Sequence, residues 1–177
     1  RFRGFAIDTP ELFEALARSI DDDLKNNYLG TSPRDALTDY VFSASELPDY
    51  FPIPQHCEMS FCGTPPRRLF FQCLEAPAPG GGETPLCDFR KVWRDLPDVL
   101  CKRFEEKGIR IVRNYSGPAA NARSDDPTML KSWDEMFLTT DHEAVEKKCL
   151  EEGFEVTWLD DDGLRLVSTQ PVYRDHP

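Results

Sequence analysis

The chain has 177 residues, 40% of them hydrophobic and 30% charged, which is enough for one globular domain with a buried core. Its formal charge of −11 leaves no basic stripe to neutralise phosphates, so neither nucleic acid nor an anionic membrane surface is expected as a partner. No apolar run approaches the roughly 20 residues of a membrane span, and RFRGFAIDTPELF lacks the apolar stretch of a secretory signal, so the expected location is cytoplasmic.

In chain order, RFRGFAI reads as an extended segment, and with no methionine ahead of it the natural N-terminus is expected further upstream. Thr9 and Pro10 supply a cap and a first helical position. Phe13, Leu16, Ala17 and Ile20 then recur at helical spacing, predicting an amphipathic helix to about Asn26 that packs one face on a sheet. Residues 28–39 (with GTSPRD) read as loop and 40–43 as a short strand. Three prolines in 47–54 forbid a regular helix ahead of His56. The apolar run RRLFFQCL (67–74) predicts a strand, APAPGGG a turn, and 83–87 a second strand pairing with the first. A helical stretch follows over 88–107, interrupted at Pro97 and ended by Gly108, and then a β-branched strand at 109–114. Residues 116–127 read as irregular. Thr140 and Glu143 form a capping box for a helix ending at Gly153, and Phe154, Val156 and Trp158 alternate into a hairpin that turns at Asp162 and Gly163. The acid-rich stretch 141–162 reads as a solvated face. Short strands with a few helices and no βαβ alternation predict a mainly β fold, an antiparallel sandwich or jelly roll decorated by α-helices, over residues 1–177 as a single domain.

The chemistry concentrates in PIPQHCEMSF, residues 52–61. On extended backbone, residues i and i+2 point to the same side, so His56 and Glu58 can aim an imidazole and a carboxylate at one point; on a helix they would diverge by about 200°. One histidine and one carboxylate so placed are two members of a 2-His-1-carboxylate triad. Taken alone, H-x-E is weak, and a histidine near an unrelated glutamate is the commoner arrangement. Cys57 and Cys62 flank the motif, but the six cysteines (also Cys73, Cys87, Cys101 and Cys149) form no C-x-x-C knuckle, which argues for reduced thiols and against zinc. Gly80, Gly81 and Gly82 precede no helix start and read as turn-formers, not as a phosphate-binding loop.

Several further blocks lie in register around the motif: RGF at 3–5, SPR at 32–34, SASE at 43–46, PRRLFFQCLEAPAPGGGETPL at 66–86 and RNY at 113–115. Together with IPQHCEMS they resemble the taurine dioxygenase-type oxygenases, close to the clavaminate synthase-like branch, along nearly the whole chain. The resemblance implies a partial double-stranded β-helix, a Fe(II) cofactor held by His56 and Glu58, and 2-oxoglutarate as co-substrate with its distal carboxylate contacted by Thr84. It also implies a small-molecule substrate oxidised with molecular oxygen. The family's second histidine and the arginine that binds 2-oxoglutarate are implied on strands beyond Pro177, so the domain is expected to be truncated and its third iron ligand to lie outside this sequence. Ser60 and Arg34 are candidates to face the substrate. His176 in the terminal DHP reads as a surface histidine, His142 in the capping box as structural, and Trp93, Trp133 and Trp158 as core fillers. An incomplete barrel would expose a strand edge and apolar core, to be covered by further residues or by a partner chain. The rival class is therefore a non-catalytic relative serving as a binding or assembly module.

Overall fold

The computed structural model describes residues 2–26, 28–48, 50–118 and 130–174. Its first helix, α1 (Pro10–Ile20), starts where expected: the Thr9 hydroxyl accepts from the Leu12 amide at 3.3 Å and Pro10 opens the first turn. It stops at Ile20, short of Asn26. Three consecutive aspartates follow, which oppose the helix macrodipole, and Asp21 turns back to accept from the Asp23 amide at 3.3 Å. Nor is its apolar face buried as expected for a helix packed on a sheet: Leu12, Leu16 and Ile20 are exposed and Ala17 is the buried residue of the helix.

Pro97 and Gly108 punctuate the middle of the chain as read. Helix α2 (Phe89–Asp95) is capped by Asp88, and α3 (Asp98–Lys107) ends at Gly108, whose φ of 67° suits glycine. Strand β1 (Ile109–Tyr115) follows directly. Helix α4 (Trp133–Phe137) starts at Ser132, whose amide donates to the Glu135 carboxylate at 2.9 Å. Helix α5 (His142–Glu151) is capped by Asp141, which accepts from the amides of Glu143 and Ala144, and not by Thr140 as expected. An aspartate one residue later offers a charged acceptor to the Glu143 amide that Thr140 would have capped, and it wins.

Strands β2 (Glu155–Trp158) and β3 (Leu164–Gln170) form the expected hairpin, with Asp162 in a left-handed conformation in its turn. The sheet is antiparallel in the order β1-β3-β2, with Ile109 opposite Gln170, and Leu164 flanked by both Tyr115 and Trp158. The core joins this sheet to α4 and α5: Tyr115, Leu164, Leu166 and Phe154 pack with Trp133, Met136, Phe137, Val145 and Cys149. Two loop residues complete it, Leu29 and Cys62. His142 is structural, as read: its ring stacks on Trp158 with centroids 3.8 Å apart and meets Trp133 edge-on, while Nε2 lies 3.1 Å from Asp162. Trp133 and Trp158 both pack at this core, the first fully buried.

Among the described residues the balance tilts toward helix, not strand. Residues 2–8, 67–74 and 83–87 form no regular strand, and 36–43 holds a single bridge between Ala36 and Phe42. A strand exists only in a ladder, and among the described residues no main-chain hydrogen bond joins 2–8, 67–74 or 83–87 to a neighbour. Gln72 touches the N-terminal segment through its side chain, donating to the Ile7 carbonyl at 2.8 Å. Leu69, Phe71, Leu74 and Leu86 are consequently exposed. The irregular stretch expected at 116–127 lies mostly outside the described residues, as does His176. No helix among the described residues is long and apolar enough to cross a membrane.

Candidate functional site

Backbone over 52–57 is free of helix, as its prolines dictate, and a turn begins at Glu58. In that turn Met59 adopts a left-handed φ of 48°, the Ser60 amide donates to the Cys57 carbonyl at 3.3 Å, and the Cys62 amide to the Met59 carbonyl at 2.9 Å. The non-helical run therefore reaches Cys57, and Glu58 stands in the turn and not on the extended backbone expected of it. The two side chains still converge, with His56 Nε2 3.9 Å from Glu58 Oε2.

The imidazole is oriented by its own neighbourhood. His56 Nδ1 lies 2.8 Å from the Pro54 carbonyl, which can only accept, so Nδ1 is the donor and the neutral ring leaves its lone pair on Nε2, the atom facing Glu58. Glu58 is largely shielded, its side chain 19% exposed, whereas His56 is 56% exposed. A neutral imidazole nitrogen beside a carboxylate oxygen is a donor pair suited to a divalent transition metal. Among the described residues no group of three histidine, cysteine or acidic side chains forms a complete metal site.

Arg34 joins the pair. Its Nη2 lies 3.9 Å from the same Glu58 Oε2, its guanidinium sits 4.5 Å from the centre of the Tyr28 ring, and Nη1 reaches the Ser43 carbonyl at 3.5 Å. Arg34 Nε is buried and has no hydrogen-bond partner among the described residues, a donor available to an incoming acceptor once the side chain moves. Ser60 is next to the pair in sequence but exposed, and Thr84 is exposed on irregular chain with no hydrogen bond to His56, Glu58 or Arg34. The structure thus gathers His56, Glu58 and Arg34.

Supporting residues invisible to motif reading hold the turn in place. The Phe61 carbonyl accepts from Ser168 Oγ at 2.9 Å and Gln170 Nε2 at 3.2 Å, both from the buried side of β3. Arg174 donates to the carbonyls of Cys62 and Gly63 and to Gln170. Arg113 of β1 lies over the Phe61 ring. Burial, and secondarily the nearby Glu152, pushes the Cys62 thiol up to about 12, so it stays a protonated core residue and not a metal thiolate. The alternation of Leu164, Leu166, Ser168 and Gln170 was the available signal, since buried polar residues on a core-facing strand demand partners.

The model of the family described as taurine catabolism dioxygenase TauD, TfdA family, matches residues 1–177. Dapdiamide synthesis protein DdaC of Enterobacter agglomerans is 28% identical over 176 residues, covering 99% of this chain and 50% of the relative. Clavaminate synthase-like protein At3g21360 of Arabidopsis thaliana is 30% identical over 171 residues, covering 94% and 50%. The chain spans about half the length of these curated relatives. With a match running from its first residue to its last, the chain belongs to the TauD/TfdA family, within the Fe(II)/2-oxoglutarate oxygenase superfamily.

Proposed function

We propose that residues 1–177 are one domain of a Fe(II)- and 2-oxoglutarate-dependent oxygenase that hydroxylates or otherwise oxidises a small molecule, with the jelly-roll architecture of its family. The observation that carries this reading is the convergence of His56 Nε2 and Glu58 Oε2, with the imidazole held by Pro54 in the tautomer that ligates metal. When bound, the iron centre supplies the oxidative chemistry, in which 2-oxoglutarate becomes succinate and carbon dioxide while molecular oxygen oxidises the substrate. His56 and Glu58 hold the metal. Thr84 offers a hydroxyl to the distal carboxylate of 2-oxoglutarate. Arg34 neutralises Glu58 before metal enters and then becomes free to meet a polar group of the substrate.

The test is succinate formation from 2-oxoglutarate by the full-length protein with added Fe(II), compared with His56→Ala. Loss of turnover in the variant supports the assignment, and undiminished turnover removes it. A second reading, a binding or assembly module, draws on the exposed Leu69, Phe71, Leu74 and Leu86, an apolar surface that further residues or a partner chain would cover. It predicts no succinate formation by the wild type.

A further inference from the structure

We propose that Arg113 is the positioning residue of the candidate metal site, the strut that sets the His56–Glu58 turn against the loop carrying Arg34; the role rests on the metal-binding reading above. The two segments it joins belong to no helix or strand, so their relative placement needs a tie to the sheet. Arg113 provides one. Strand β1 pairs it with Leu166, and its guanidinium lies 3.7 Å from the centre of the Phe61 ring and 5.1 Å from that of Tyr115. From there Nη1 donates to the Leu29 carbonyl at 3.1 Å.

Each contact leads into the site. Phe61 ends the turn that carries Glu58, and Leu29 precedes Arg34 on the loop whose Tyr28 stacks on that arginine. Phe61 cannot retreat from the guanidinium, because Ser168 and Gln170 hold its carbonyl from β3. Leu29 is likewise fixed, at 3% exposure in the core cluster. A planar guanidinium can cover an aromatic face and donate in its own plane at once, whereas an ammonium offers a compact point charge that cannot do both in this geometry. Arginine is thus the residue that lets one side chain clamp both loops.

The experiment uses the full-length protein and Arg113→Met, which keeps the apolar stem, with Arg113→Lys as the conservative variant and Phe61→Leu as a second route that leaves β1 untouched. Cobalt(II) affinity and amide hydrogen exchange are both read. Arg113→Met and Phe61→Leu should each weaken cobalt binding about tenfold or more. They should also accelerate exchange in residues 28–34 and 56–62 while β3 amides keep their protection, and Arg113→Lys should restore only part of the loss. Wild-type cobalt affinity together with unchanged exchange in both loops overturns the proposal. So does a loss of protection spread evenly through the sheet in both variants, since that marks a general stability role. Equal cobalt binding by wild type and His56→Ala would overturn the metal reading instead, and the loop-specific exchange would then decide the strut on its own.

Discussion

Gly108 joins α3 to β1, and replacing it with alanine offers a graded test of how tightly the sheet supports the site. Its backbone, at φ 67° and ψ −165°, occupies a region open essentially to glycine alone, and placing a side chain there costs about 1–3 kcal/mol. A Cβ at this position would also sit 2.9 Å from the Gln170 carbonyl oxygen, closer than carbon and oxygen tolerate, so β3 has to shift. Together these effects predict a destabilisation of about 2–4 kcal/mol for Gly108→Ala. Gly153→Ala is the internal control: its φ is +80° but nothing lies within 4 Å of the added carbon, so only the backbone cost of about 1–2 kcal/mol applies. Equilibrium urea unfolding of the two variants, at unchanged denaturant dependence, separates the steric part from the conformational part. The reasoning fails if Gly108→Ala is no more destabilising than Gly153→Ala, or lies within about 0.5 kcal/mol of wild type. Because Gln170 also holds the Phe61 carbonyl, the same variant should loosen residues 56–62 in amide exchange.

Trp133→Ala should cost about 3–5 kcal/mol in the same unfolding assay, since the indole is fully buried, packs against Trp158 and donates to the Asp162 carbonyl at 2.8 Å. Burial pushes the thiols of Cys62 and Cys149 up to about 12, leaving about one in ten thousand ionised at pH 8. Alkylation of the folded protein followed by peptide mass spectrometry should therefore label the exposed Cys57, Cys73 and Cys87 and spare those two. The raised folded-state values mean that these two thiols hold their protons more tightly in the folded than in the unfolded chain. Their contribution to stability is full below the ordinary value of 9.0 and is lost as pH rises toward 12, so unfolding free energy should fall across that window, and less steeply in Cys149→Ala.

Local chemistry was the legible part of this chain. Thr9 with Pro10, Pro97, and Gly108 mark helix ends through effects confined to a few residues, and the hairpin of β2 and β3 follows from its own alternation. The apolar runs at 67–74 and 83–87 were legible only as extended chain, because a ladder depends on a neighbour that the run itself does not specify. At the site, the prolines at 52 and 54 mark the non-helical approach to His56, but the turn that begins at Glu58, within which the two side chains meet, was not legible in them. Nothing local announces that Arg34 approaches the same carboxylate, or that Ser168 and Gln170 seize the Phe61 carbonyl from across the fold. Those contacts arise from tertiary packing around Leu29, Cys62 and Tyr115, which brings two irregular loops onto one face of the sheet.

In the proposed function His56 and Glu58 together bind the metal. Anaerobic calorimetric titration of the full-length protein with Fe(II), alongside His56→Ala and Glu58→Ala, tests it most directly. Each substitution should weaken binding by about 100-fold or more while leaving the folded state intact. Iron affinity that matches the wild type in either variant would contradict it.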